Sequence, residues 1–230
     1  MMFRLLVSAV ICLNCLSRAE QKPEIVEITN NQALKVGESA ELSCSVRNSR
    51  DYPVMWLKMN RGRFDNDPLY LSSDSTILSK DSRLSLKNNT SSSTDTYTLK
   101  ISNIQTSDAG IYECVIFLSM INYIYKKVEL DVYSLPVIHD NSSSTIVVKE
   151  LNPVTMECFT GGTPEPLTWW KREDNAILPT GGTVYRGNVL KINSVKQEYG
   201  GTYLCTADNG VGEAAKRRIT LKVEVPPNVQ

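Results

Sequence analysis

From about residue 24 onward the chain is written in short runs where apolar and polar residues alternate one for one. Ala40, Leu42 and Cys44 fall on one parity and Glu41 and Ser43 on the other, and Val154, Met156 and Cys158 alternate in the same way against Thr155 and Glu157. A period of two with one apolar parity predicts strands that cover a core on one side. Further along, Leu99, Ile101 and Ile104 have counterparts in Leu190, Ile192 and Val195, and Val128, Leu130 and Val132 have counterparts in Ile219, Leu221 and Val223. No segment sustains a helical period over three turns, so the fold class expected is all-β. Because the pattern runs through twice, two domains are expected, at residues 24–133 and 136–225. The junction from Tyr133 to Pro136 is too short for a floppy tether.

The large residues placed on this pattern make it specific. Twelve residues after Cys44 stands Trp56, and twelve after Cys158 stands Trp170. Trp169 competes for that place, but Trp170 keeps the spacing of the first half and leaves Trp169 for the outer face. Both halves then turn through a glycine into a tyrosine two residues before a second cysteine: Asp108, Gly110, Tyr112, Cys114 and then Gly200, Gly201, Tyr203, Cys205. A strand B cysteine, a strand C tryptophan and a tyrosine just before the strand F cysteine form the signature of the immunoglobulin sandwich. Cys44 is expected to bond to Cys114 and Cys158 to Cys205, with Trp56, Trp170, Tyr112 and Tyr203 packed in the cores. The longer loop of the first half has room for C′ and C″ strands from Pro68 onward. It therefore reads as a variable-type domain and the shorter second half as an intermediate-type one. Arg83 and Asp108 stand where variable-type domains place a salt bridge across the lower end, and Tyr199 occupies the matching acidic position in the second half.

The ends of the chain add a compartment. Residues 1–19 carry Arg4 and an apolar run from Leu5 to Leu13, with Ser17 and Ala19 at the positions cleavage prefers, so a signal peptide is expected. About nine apolar residues are too few to cross a hydrocarbon layer of roughly 30 Å. Removing residues 1–19 takes Cys12 and Cys15 and leaves four of the six cysteines, an even number that fits disulfides in a secreted chain. Residues 226–230 read as a tail or the start of a third domain. The 25 basic and 25 acidic side chains cancel, which gives no electrostatic reason to expect nucleic acid as a partner.

Beyond the fold signature, the second half carries Gly162, Pro164 and Pro166 before Trp170, the run from Lys171 to Thr180, and Ala207-Asp208-Asn209-Gly210-Val211. The first half carries Asp67-Pro68, Asp81-Ser82-Arg83 and Asp108-Ala109-Gly110. These resemble the Lachesin family, which is similar to the vertebrate IgLON proteins. The resemblance implies cell-surface adhesion proteins with three such domains and a glycolipid anchor, which pair with themselves or with related immunoglobulin-superfamily proteins. Two departures from the family stand out. The turn from Glu150 to Val154 lacks its usual glycine, and the sequence ends before a third domain or anchor, so membrane attachment would need an anchor this sequence lacks. The alternative expectation is a soluble secreted ligand, decoy or immune-type recognition factor.

For the binding face, alternation along strand C turns Met55, Leu57 and Met59 outward, and along strand F it leaves Val115 and Phe117 outside. With Tyr70 and Tyr125 they form an apolar and aromatic face, which on a soluble domain usually means a protein partner. Asn88, Asn89 and Asn141 open N-glycosylation acceptor sequences, the first two between strands D and E. His139 is the sole histidine, and it reads as a surface residue. With the cysteines committed to bridges, no zinc site, other metal or cofactor is expected. Gly161-Gly162 reads as the B to C turn and not as a phosphate loop. Lys216-Arg217-Arg218 reads as a solvated strand edge before an anionic-glycan contact. No acid, base and nucleophile are assembled, so neither an enzyme nor a small-molecule substrate is expected.

Overall fold

The structure is a computed structural model, and it describes residues 21–59, 67–91 and 93–225. The signal-peptide segment 1–19 with Cys12 and Cys15, and residues 226–230, lie outside the described residues.

In the first half the strands are β1 (Glu24–Ile28), β2 (Gln32–Lys35), β3 (Ala40–Arg47), β4 (Val54–Met59), β5 (Leu69–Ser73), β6 (Thr76–Ile77), β7 (Leu84–Thr90), β8 (Asp95–Ile101), β9 (Gly110–Phe117) and β10 (Tyr123–Ile138). One sheet runs β1-β3-β8-β7. The facing sheet runs β10-β9-β4-β5-β6, with β2 parallel to β10 along its free side. The alternation that predicted β3 is kept in space, since Ala40, Leu42, Cys44 and Val46 are all fully buried. Cys44 is bonded to Cys114 across the two sheets. Closing a loop of that length contributes about 4 kcal/mol in the chain-entropy account. Trp56 fills the space beside it and donates its indole N–H to the Tyr97 carbonyl at 3.2 Å, so the largest side chain is buried with its one polar group satisfied.

The second half contributes β11 (Thr145–Lys149), β12 (Val154–Glu157), β13 (Thr160–Thr163), β14 (Leu167–Arg172), β15 (Tyr185–Arg186), β16 (Val189–Ile192), β17 (Gly201–Asp208) and β18 (Ala215–Glu224). One sheet runs β11-β18-β17-β14-β15, with β11 parallel to β18, and β12 pairs with β16 on the other side. Cys158 is bonded to Cys205. Trp170 is completely buried against Met156, Leu190, Tyr203 and Leu221, and its indole N–H donates to the Gly187 carbonyl at 2.9 Å. Trp169 is only half-buried, as the spacing argument required.

Two local expectations are corrected. The junction residues Tyr133 to Pro136 are not a linker in the usual sense, because they belong to β10, which runs unbroken to Ile138. Gly161 and Gly162 do not form a turn. They lie in β13, where Gly161 pairs with Val137 and Thr160 with Ile138. A side chain on Gly162 would meet the Leu135 carbonyl and the Pro136 Cα at 3.2 Å, so close backbone approach is the reason for glycine there.

The turn that lacks its glycine is also resolved in physical terms. In the first half Gly37 adopts φ +93° and donates its N–H to the Ile104 carbonyl. Leu151 takes the same part in the second half, donating to the Val195 carbonyl at a φ of +69°. A leucine is therefore held in the left-handed region, at a cost of roughly 1–2 kcal/mol.

Candidate functional site

The outer face of the sheet β10-β9-β4-β5 is assembled by strand parity. Tyr112, Cys114 and Ile116 of β9 are buried inward, which turns Glu113, Val115 and Phe117 outward. On β10, Val128, Leu130 and Val132 point inward and are buried, which turns Tyr123, Tyr125 and Lys127 outward. Met55 pairs with Val115 and Leu57 with Glu113 across β4 and β9, and Leu57 pairs with Tyr70 across β4 and β5. The residues expected on this face therefore do converge on one surface.

They are not equally accessible, and two expectations need correcting. Leu57 and Val115 are 5% and 1% exposed. They lie on the outer parity but beneath it. In an antiparallel sheet directly opposed side chains stand only about 5 Å apart, so a leucine or valine between longer side chains is covered by them. Met55, Met59 and Phe117 are half-buried, whereas Tyr70 and Tyr125 are about half exposed. Tyr123, which the alternation did not single out, stands between Phe117 and Tyr125 with ring centroids 5.9 Å and 6.0 Å away. Three aromatic rings thus form a continuous strip.

The strip runs up to the turn between β9 and β10, which is closed by Leu118 and Ser119 N–H groups donating to the Asn122 carbonyl. At its tip Met120 is fully exposed and Ile121 is 93% exposed. Sequence reasoning missed this pair. The available signal was chemical: two large apolar residues between Ser119 and Asn122, in a turn where small or polar residues are the rule. Glu113 sits within the same face, and burial pushes its carboxyl above the usual carboxylate range while Lys127 pulls it partly back.

At the lower end of this sandwich the Arg83 guanidinium forks onto both carboxylate oxygens of Asp81, at 3.1 and 2.6 Å. That side-chain bond, with the Arg83 backbone N–H, holds Asp81 below its ordinary value. Asp108 is buried and accepts the Gln105 N–H at 2.8 Å. The acceptor asparagines are all exposed. Asn88 and Asn89 lie within β7 itself, on the sheet that faces away from the aromatic strip, and Asn141 lies in a turn.

In the second half the acid missing at Tyr199 is answered by a residue that sequence reasoning passed over. Arg172 follows Trp170 at the period of two, so it points inward at the end of β14 and is 8% exposed. It donates to the carbonyls of Glu198, Tyr199 and Gly200, and pairs with Asp174 at 3.2 Å. Burial works against its charge, but Asp174 and Tyr203 outweigh that and leave the guanidinium pKa raised. The Tyr203 hydroxyl donates to the Tyr199 carbonyl at 2.8 Å, closing the tyrosine corner. Among the described residues, no helix is long and apolar enough to cross a membrane.

Comparison with known proteins agrees with this architecture. Residues 31–133 match the immunoglobulin V-set domain family and residues 136–209 an immunoglobulin domain family. Lachesin of Schistocerca americana is 48% identical over 91% of this chain and 59% of its own length. Lachesin of Drosophila melanogaster is 44% identical over 91% of this chain and 56% of its own length. The chain therefore spans less than two thirds of these two relatives. Protein amalgam of Drosophila melanogaster is 32% identical over 98% of this chain and 68% of its length. A crystal structure of DIP-gamma bound to the first immunoglobulin domain of Dpr11 superposes with a TM-score of 0.74 at 30% identity, covering 89% of this chain and 100% of that one.

Proposed function

Because the chain belongs to the Lachesin-like family of immunoglobulin-superfamily adhesion and recognition proteins, we propose that it is an extracellular recognition protein that binds an immunoglobulin-domain partner through the outer β10-β9-β4-β5 face of its first domain. The observation that carries the reading is the aromatic strip of Phe117, Tyr123 and Tyr125 beside Tyr70, continued by Met120 and Ile121 at the turn. Large apolar side chains left in water are costly to keep unless a partner covers them, and exposed tyrosines bring much contact area for little lost side-chain entropy. The partner is either a second copy of the chain or a related protein, as the complex of DIP-gamma with Dpr11 illustrates for that pair. Membrane attachment through a lipid anchor, as the family resemblance implies, belongs to the same proposal. Weak pairing of single domains then gains from many copies held on one surface.

Bead aggregation tests the reading directly. Beads coated with the chain are mixed with one another and with beads bearing the Schistocerca americana Lachesin. Ile121→Asp and Tyr125→Asp replace exposed side chains and leave the fold intact, so they should abolish aggregation with unchanged circular dichroism. Aggregation that survives both substitutions places the partner site elsewhere and refutes the proposal.

A further inference from the structure

The run Lys216-Arg217-Arg218 belongs to a surface that the sequence alone does not assemble. Arg217 turns inward along the sheet edge, where its guanidinium donates to the carbonyls of Ser143, His139 and Asp140. Lys216 and Arg218 turn outward and are exposed. The register then sets them into rows across four strands. Arg186 of β15, Trp169 of β14, Thr206 of β17 and Lys216 of β18 stand directly beside one another. The next row holds Lys171 of β14, Leu204 of β17 and Arg218 of β18. At about 4.8 Å per strand a row extends about 14 Å, and successive rows lie about 7 Å apart. Trp169 is half-buried within the patch, and Thr206 between Trp169 and Lys216 is covered to 5% exposure.

Carboxylates at this face are few and accounted for. Glu173 is committed to Arg218, with its Oε1 2.5 Å from the guanidinium Nε. Asp208 lies at the Leu167 end of β17 and accepts the Gly210 N–H. Arg186, Lys171 and Lys216 therefore surround the indole with no carboxylate ion-paired to them among the described residues.

We propose that this outer face of the second domain is a binding site for a sulfated polysaccharide chain of the extracellular matrix. The ligand must be a polyanion, because three cations spread over a surface wider than any single sulfate give little affinity for one ion and a cumulative attraction for a chain of them. It must also offer flat apolar faces, because an indole set among cations can stack on a sugar ring while the flanking arginine and lysines take the sulfates. Two disulfide-bonded domains belong in the oxidising compartment where such chains are found. This site is separate from the aromatic strip of the first domain and does not depend on the partner proposed for it.

The test uses the full chain and heparin as the probe. The chain should bind immobilised heparin at about 0.15 M NaCl and elute at higher salt. The combined substitution Lys171→Ala, Arg186→Ala and Lys216→Ala should raise the Kd about tenfold or more, and Trp169→Ala should raise it as well. Glu173→Gln frees Arg218 and should tighten binding several-fold, a gain that misfolding cannot imitate. Lys191→Ala, on the sheet β12-β16, should change nothing. Flow-through of the unaltered chain, an unchanged Kd in the triple variant, or equal binding to fully desulfated heparin would each overturn the proposal. Equal affinity for single-stranded DNA or for phosphatidylserine vesicles would also overturn it, since the face would then read charge without reading sugar.

Discussion

Replacing Arg172 by methionine should cost the second domain about 3–4 kcal/mol. Methionine keeps most of the buried stem but removes every donor. The guanidinium serves the carbonyls of Gly200 at 2.9 Å, Tyr199 at 3.2 Å and Glu198 at 3.3 Å, and its Nη1 lies 3.5 Å from the Tyr203 hydroxyl. Hydrogen bonds from a charged donor are worth about 1.5–3 kcal/mol each. Glu198 is exposed, so water takes over at its carbonyl, and Tyr199 already receives the Tyr203 hydroxyl. The Gly200 carbonyl then loses a charged bond and the Tyr203 hydroxyl a longer, weaker one, which together come to about 3–4 kcal/mol. Lysine at this position keeps the charge but brings one nitrogen in place of a planar fork, so Arg172→Lys should recover less than half of the loss. Geometry supports the claim that the site is built around the fork. Gly201 sits at φ +131°, and a side chain there would come within 3.1 Å of the guanidinium.

For a domain of this size each kcal/mol moves the melting temperature by about 4–8 °C, so calorimetry should show a transition lowered by about 15 °C or more. Hydrogen exchange should assign the lost protection to β14 and β17. Asp174→Asn, which removes only the exposed partner, should shift the transition far less. If Arg172→Met melts within about 3 °C of the unaltered protein, the carbonyls of the turn are satisfied by water and the clamp is not what holds this end closed.

Two further perturbations follow from the same contacts. Leu151→Gly should stabilise the second domain by about 1 kcal/mol in urea titration, because it relieves a left-handed leucine that is 71% exposed and loses almost no burial; a destabilised variant would mean that the leucine is held there by packing. Glu113 has a folded pKa raised above its reference value of 4.5, so its stabilising contribution is present below that value and is lost as pH rises through the folded pKa. Glu113→Gln should therefore be more stable than the parent at pH 7 and equal to it near pH 4, and a difference that grows on acidification would contradict the burial argument.

Much of the fold was legible because a few bulky residues can occupy only one place in it. Cys44, Trp56, Tyr112 and Cys114 share an inner parity and a spacing, and so do Cys158, Trp170, Tyr203 and Cys205. Parity was enough to put all eight inside. Exposure was a different matter. Whether Leu57 or Val115 meets solvent depends on the length of the side chains beside it on neighbouring strands, and those pairings come from register, which a single sequence does not display. Arg172 escaped for a related reason. An inward cation looks unlikely until the carbonyls of the turn at Glu198, Tyr199 and Gly200 are seen converging on it. The strand identity of Gly161 and Gly162 was hidden because glycine usually marks a turn, while here it admits the close passage of β10.

The two domains show how one arrangement of strands supports different surface chemistry. In both, the sheet that pairs β10, β9 and β4 or β18, β17 and β14 buries a disulfide cysteine, the tryptophan and the tyrosine on its inner parity, and those residues leave almost no freedom for change. The exposed positions of the outer parity have no such duty. In the first domain the outer parity carries Phe117, Tyr123 and Tyr125 beside a half-buried Glu113 opposed by Lys127, so desolvating the aromatic strip costs little and a protein surface can close over it. In the second it carries Lys171, Arg186 and Lys216 around Trp169, a surface that would be expensive to dehydrate against protein but is well suited to a hydrated, charged chain. Substitutions at the exposed positions of the outer parity can therefore redirect binding with little effect on stability, whereas the inner parity and covered outer residues such as Leu57 and Val115 can change only together with the fold.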